Sequence, residues 1–180
     1  YGKILGGGLP IGAVAGKRRW LDPIDGGAWQ YGDDSAPEAA MTFFAGTFVR
    51  HPLVMAAADA VLDFLMADGG ALQEQLNRRT QAFAEQLNAF FQTRGVPLRI
   101  RWFSSLFRFD IPQDQPFTNL LFYRLLADGI YIRDGAQNCF FSIAHTQADI
   151  ARVVEAVQSA VIELQSVGFL PSVTNPVATA

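Results

Sequence analysis

The apolar positions change period along the chain, and the changes mark its elements. From Leu53 to Met66 they fall on nearly every face, which predicts a buried helix. Pro52 suits its first turn, where a missing N–H costs nothing. Asp68-Gly69-Gly70 ends it. In the next helix Leu72, Leu76, Phe83, Leu87 and Phe90 share one stripe, with Glu74, Arg78 and Glu85 pointing away. Gly95 and Pro97 stop it. Leu98–Phe103 and Leu106–Phe109 alternate with period two, which predicts strands joined as a hairpin about Ser104-Ser105. A helix from about Phe117 to Ala127 follows, closed by Asp128-Gly129. Ile130–Arg133 and Cys139–Ile143 read as short strands. Thr146-Gln-Ala-Asp149 has the form of a capping box, with Asp where Glu is usual. The helix it opens carries Ile150, Val153, Val154, Val157, Val161 and Leu164 on one face.

The first residues lack such periods. Six glycines and Pro10 in residues 1–16 predict a loop, then a short buried strand around Ile11 to Ala15. Residues 17–35, polar and Gly/Asp-rich with Trp20 and Trp29, read as an irregular excursion. Helices and strands alternate from about residue 70 to 168, which suggests a small α+β domain. Residues 1–68 look like the end of a different, larger domain, and residues 169–180 like a linker or tail.

Composition narrows the class. Half of the 180 residues are apolar and only 17% are charged, against roughly 25% in an average soluble domain. With 15 Phe this suggests part of a larger body or an oligomer subunit. The net charge of −3 gives no basic excess for nucleic acid or an anionic membrane. No apolar run reaches the roughly 18 residues of a membrane-spanning helix. Cys139 alone forms neither a disulfide framework nor a Cys-rich metal site, and His51 and His145 have no partners at ligand spacing, so no metal is expected. One cysteine fits a reducing compartment, and a cytoplasmic location is the expectation. The opening Tyr1-Gly2-Lys3, without an initiator Met, reads as the start of a fragment.

Three groups could carry chemistry. Gly16-Lys17, followed by Arg18, does not fit a Walker A loop, nor Gly6-Gly7-Gly8 a dinucleotide fingerprint, since Ile11 stands where either needs glycine. A tight structural turn and a ligand loop both stay open. Of 14 basic residues only Lys3 and Lys17 are lysines. Lys3 lies among Gly2, Ile4, Leu5 and Gly6, an apolar setting of the kind that disfavours an ammonium and frees a nucleophilic amine. A surface lysine before a turn is the stronger reading from these residues alone. Arg99, Arg101 and Arg108 cluster on predicted strands and read as a solvated face. His145, which precedes a capping hydroxyl, reads as structural rather than as a base.

Longer stretches carry a resemblance. Gly2-Lys3-Ile4-Leu5-Gly6-Gly7-Gly8-Leu9-Pro10-Ile11-Gly12-Ala13 resembles the cofactor-lysine segment of class III, fold-type I, pyridoxal-phosphate aminotransferases, near the glutamate-1-semialdehyde aminomutases. Ala45-Gly46-Thr47-Phe48 with His51-Pro52-Leu53 resembles that family's next block, and Ser142–Thr146 with Asp149-Ile150 its last. The run Ala28–Asp33 with Thr42-Phe43-Phe44 is similar to aminotransferase domains of microcystin- and nodularin-type mixed polyketide/nonribosomal-peptide synthetases.

The resemblance, over about residues 1–168, implies an α/β fold: the end of the large cofactor domain plus the small α+β domain. It implies pyridoxal 5'-phosphate as cofactor. Lys3 would bind the cofactor's aldehyde carbon and later carry a proton, while Thr47, with backbone N–H groups around Gly46, would reach the phosphate of a neighbouring subunit in a homodimer. An ordinary turn hydroxyl is the plain alternative for Thr47. The implied reaction passes an amino group from an amino acid to a keto acceptor, here a carrier-tethered β-keto acyl chain. A free-standing glutamate-1-semialdehyde aminomutase and a non-catalytic phosphate-ligand or interaction module are the alternatives. The family's phosphate-binding turn, ring-stacking aromatic and pyridine-nitrogen carboxylate fall before its lysine, so the chain by itself is expected to be inactive.

Overall fold

The computed structural model describes residues 1–42, 45–112, 115, 117–132 and 138–172, without the side chains of Lys3 and Asp25. The chain divides into two compact units, Tyr1–Gly69 and Gly70–Ala180.

The second unit holds the main core. Helix α3 spans Ala71–Arg94, strand β1 Arg99–Phe103, β2 Leu106–Asp110, α4 Leu120–Ala127, β3 Cys139–Phe140 and α5 Gln147–Ser166 (α1 and α2 precede them). The strands form an antiparallel sheet in the order β1-β2-β3. α3 packs on β1 and β2, and α5 on α3 and α4. Register puts Ile100 opposite Phe109 and Trp102 opposite Phe107 on the helix-covered side. Phe83, Phe107 and Phe141 meet there with centroids 4.8–5.0 Å apart. The opposite side carries Arg99, Arg101 and Arg108, all exposed, with Arg101 and Arg108 sharing Asp110 at 2.6 and 3.8 Å. It is the solvated face expected.

Several sequence expectations meet their structural outcome in this unit. The α3 stripe buries Phe83, Ala84, Leu87 and Phe91, with Phe90 only half-buried, so the stripe ends one residue later than expected. The hairpin turns at Ser104-Ser105. Ser104 takes φ 58, the left-handed conformation a two-residue hairpin loop needs first, and its hydroxyl bonds Asn77 Oδ1 of α3 at 2.7 Å. α4 starts at Leu120, not Phe117, because residues 117–119 form a turn. Ile130–Ile132 is not a strand; Arg133 lies outside the described residues. Of Cys139–Ile143 only Cys139 and Phe140 form ladder pairs. The capping box is complete: Asp149 N–H donates to Thr146 Oγ1 at 3.1 Å, and Thr146 N–H to Asp149 Oδ2 at 2.8 Å. Residues 173–180 of the expected tail lie outside the described residues.

The first unit has a 3₁₀ turn at Lys3–Gly6, helix α1 at Arg18–Asp25 and helix α2 at Pro52–Met66. α1 corrects the expected irregular stretch. Its polar sequence and internal Pro23 hide it from pattern reading, but Arg18 pairs with Asp22 one turn on, and Gly26 closes it with its N–H on Asp22 O at 2.7 Å. The expected strand at Ile11–Ala15 is absent. Its ladder is limited to the two bonds between Tyr1 and Ala13, and Val14 is 82% exposed. α2 begins with Pro52 at its first turn, as expected, but is not buried on every face: Val54 and Ala58 are buried while Leu53, Phe64 and Met66 are exposed. Phe43 and Phe44 lie outside the described residues.

Candidate active site

The lysine segment is a loop closed on itself. Tyr1 N donates to Ala13 O at 2.7 Å and Ala13 N–H to Tyr1 O at 2.8 Å, so the chain leaves and returns at one point. Between them Lys3 sits in the 3₁₀ turn, and Leu9 N–H reaches Gly6 O at 2.9 Å. Gly6 is needed for close approach: a Cβ there would lie 2.8 Å from Ile11 Cγ2. Gly7, at φ 57, turns the chain against Val61 of α2. The glycine run therefore has a structural cause, which supports the tight-turn reading of it.

The returning limb of this loop and the Gly46-Thr47 block share one cavity. Pro10, Ile11, Gly12 and Ala13 form one wall; Gly46–His51 and the start of α2, Val54 and Met55, form the other. The cavity is open, about 790 Å³, and mostly apolar. Thr47, Arg50 and His51 are the residues with polar side chains in its lining. Val49 N–H bonds Gly46 O at 3.0 Å, which holds Thr47 in a turn. Among the described residues the Thr47 hydroxyl makes no hydrogen bond and Arg50 no ion pair. Met55 N–H on His51 O, 3.0 Å, is the first helical bond of α2. The preceding N–H groups of Leu53 and Val54 have no intrahelical partner, and the helix start favours an anion.

These features suit the phosphate of pyridoxal phosphate: an unengaged hydroxyl, a cation and helix-start N–H groups around one open space. Gly46 and Thr47 both line the cavity. Lys3 lies two residues from the Tyr1–Ala13 junction, and its side chain lies outside the described residues. Sequence reading passed over Arg50. Its signal was a lone arginine before His51-Pro52; the structure gives it φ 57, unusual for a residue with a Cβ, on the cavity wall.

His145 is a structural group, as expected. Its Nδ1 accepts from Ser142 N–H at 3.0 Å and contacts Ser142 Oγ at 3.0 Å, with its ring edge-on to Phe141. Burial pushes the Cys139 thiol up from its ordinary value, away from nucleophilic use. Among the described residues no three His, Cys, Asp or Glu gather as metal ligands, and no helix is long and apolar enough to cross a membrane.

Comparison with known proteins gives the class. The family model described as Aminotransferase class-III matches residues 1–161, and the chain belongs to that family. Glutamate-1-semialdehyde 2,1-aminomutase of Desulfovibrio desulfuricans is 33% identical over 171 residues, covering 88% of this chain and 37% of the relative. The enzyme of that name from Nitratidesulfovibrio vulgaris strain DP4 is 34% identical, with 87% and 37% covered. The chain thus spans little more than a third of the length of these relatives. Among solved structures, a β-phenylalanine aminotransferase from Variovorax paradoxus superposes with a TM-score of 0.69 at 26% identity, over 95% of this chain and 39% of that one. A transaminase with pyridoxal phosphate bound gives 0.68 at 22%, over 92% and 38%. The fold is that of part of a pyridoxal-phosphate-dependent aminotransferase, and the cofactor that goes with the family is pyridoxal 5'-phosphate.

Proposed function

We propose that this chain is the lysine-bearing part of a pyridoxal-phosphate-dependent aminotransferase that moves an amino group from an amino-acid donor to a keto acceptor. The observation that carries this reading is the shared cavity, where the limb paired to Tyr1 faces Gly46-Thr47. The cofactor, when bound, supplies the electron sink for the charge left at the donor's Cα. Lys3 is the residue whose amine would hold the cofactor, and that amine could take and return the proton at that carbon. The Thr47 hydroxyl and the turn at Gly46 hold the phosphate. In a homodimer that phosphate is the partner subunit's, and Thr47 makes each site depend on two chains.

The acceptor we favour is a β-keto acyl chain tethered to a carrier protein, in a synthetase that builds a polyketide–peptide product. Its support is the run Ala28–Asp33, and the likeness to an enzyme named for a β-amino acid points the same way. The 33–34% identity to glutamate-1-semialdehyde aminomutases favours a second reading, an intramolecular exchange on a small aldehyde. Borohydride treatment of the complete enzyme with its cofactor, followed by peptide mapping, tests the common core. A pyridoxyl adduct on Lys3, lost in Lys3→Ala together with turnover, is the expected result. An adduct elsewhere, or near-normal turnover of Lys3→Ala, overturns the assignment and leaves a non-catalytic module. Assay with a carrier-bound β-keto acyl chain against glutamate-1-semialdehyde separates the two substrates.

A further inference from the structure

Among the described residues the antiparallel sheet ends at β1, whose outer edge carries the backbone groups not used by β2. Alternation assigns them: Arg99, Arg101 and Phe103 are on the pairs that bond β2, so Ile100 and Trp102 direct their N–H and C=O outward. An open row of this kind is a template for another strand.

Here the row is filled by a side chain. Asn88, on α3, accepts from Ile100 N–H through Oδ1 at 2.7 Å and donates from Nδ2 to Ile100 O at 2.9 Å. A carboxamide presents a donor and an acceptor side by side, as a peptide unit does, so both outward groups of one residue are satisfied together. Asn88 is half-buried and Ile100 fully buried, so the pair is protected from water. Beside it runs a cleft of about 620 Å³ between α3 and β1, lined by Glu85, Ala89, Gln92, Leu98 and Trp102 as well as Asn88. Asn88 stands across the bonds that an added strand would need.

We propose that Asn88 is an edge lock, a single side chain standing in for a fourth strand and keeping β1 from pairing with β1 of a second copy. A second feature opposes the same pairing. An antiparallel β1–β1 ladder centred on Ile100 sets Arg99 of each chain against Arg101 of the other, and like charges directly opposite repel. The lock and the charges act independently, so they are separable by substitution.

The test uses the full chain and reads backbone hydrogen exchange and oligomeric state. Asn88→Ala should speed exchange of the Ile100 amide at least 10-fold, while the Arg99 and Arg101 amides, bonded to β2, stay protected. Arg99→Glu alone, which makes the self-pairing charges complementary, should keep the wild-type oligomeric state because Asn88 still holds Ile100. Asn88→Ala combined with Arg99→Glu should add concentration-dependent association in sedimentation. Asn88→Asp, which keeps an acceptor for Ile100 N–H and sets a charge on the edge, should not associate. The proposal is overturned if Ile100 exchange does not change in Asn88→Ala, if Arg99→Glu associates as strongly as the double variant, or if the double variant keeps the wild-type state. Loss of protection at Arg99 and Arg101 together with Ile100 in both Asn88 variants also overturns it, since Asn88 would then hold the fold rather than the edge.

Discussion

Phe83 shows how much one residue decides in this chain. It is 1% exposed, and its ring lies 4.9 Å from that of Phe107 and 5.0 Å from that of Phe141, joining α3 to β2 and to the segment after β3. Truncating such a side chain loses its burial and leaves a cavity, about 3–5 kcal/mol together. Phe64 has the same chemistry on α2 but is 55% exposed. Phe83→Ala should therefore lower the denaturation midpoint of the second unit sharply, while Phe64→Ala should stay within about 0.5 kcal/mol of wild type. Urea titration followed by hydrogen exchange separates the two. Under the proposed function Thr47 would matter in another way, through a hydrogen bond to the cofactor phosphate. One hydrogen bond to a charged phosphate is worth about 1.5–3 kcal/mol. In the complete enzyme Thr47→Ala should weaken cofactor binding roughly 10- to 100-fold and leave Lys3 able to hold the cofactor. Cofactor titration checks this; unchanged affinity would return Thr47 to a plain turn hydroxyl.

At the scale of elements, legibility follows how much of an element's stability is local. The hairpin is legible because alternating residues and a two-residue loop both act over neighbours in sequence, as Ile100 opposite Phe109 shows. α5 is legible because its cap is written in Thr146 and Asp149 and its face in Ile150 through Leu164. α1 is not, because Pro23 and four charged residues in eight mask a helix held by the Arg18–Asp22 pair and the Gly26 closure. The Asn88–Ile100 pairing was equally invisible: it depends on how α3 sits against β1, which no spacing encodes. Lys3 and Thr47 emerged from their blocks, whereas Arg50 acquired its interest only from the cavity. The cap of α5 also carries a pH dependence. The Thr146 hydroxyl, then the Thr146 N–H, hold the Asp149 carboxyl below its ordinary value. Because the folded value is the lower one, the cap contributes fully above the unfolded aspartate value, about 3.9, and fades as pH falls through the folded value. Asp149→Ala should thus be less stable than wild type at neutral pH, and the difference should shrink toward zero in acid, read as the gap between thermal midpoints.

The two units of the whole chain are built unequally. Every residue of the main apolar cluster lies between Phe83 and Leu170, within the second unit. Among the described residues of the first unit the buried hydrophobic side chains are Val54 and Ala58, while Leu53, Met55, Leu62, Phe64 and Met66 leave apolar surface on α2 open. Local opening costs little where few apolar contacts are made. Backbone amides of α2 should therefore exchange well before those of α3 and α5 in the 180-residue chain, and proteolysis should cut the first unit first. Open apolar faces of this kind also promote association, so the chain should be poorly soluble, and more so than residues 70–172 alone. The same imbalance bears on activity. Lys3 and Thr47 both belong to the less stable unit, and a reacting geometry is worth most when it is held rigidly. Given cofactor, glutamate and a keto acceptor, the chain by itself should bind pyridoxal phosphate weakly and produce no keto acid beyond the uncatalysed rate. Saturable turnover that disappears in Lys3→Ala would show instead that these 180 residues already hold a working site.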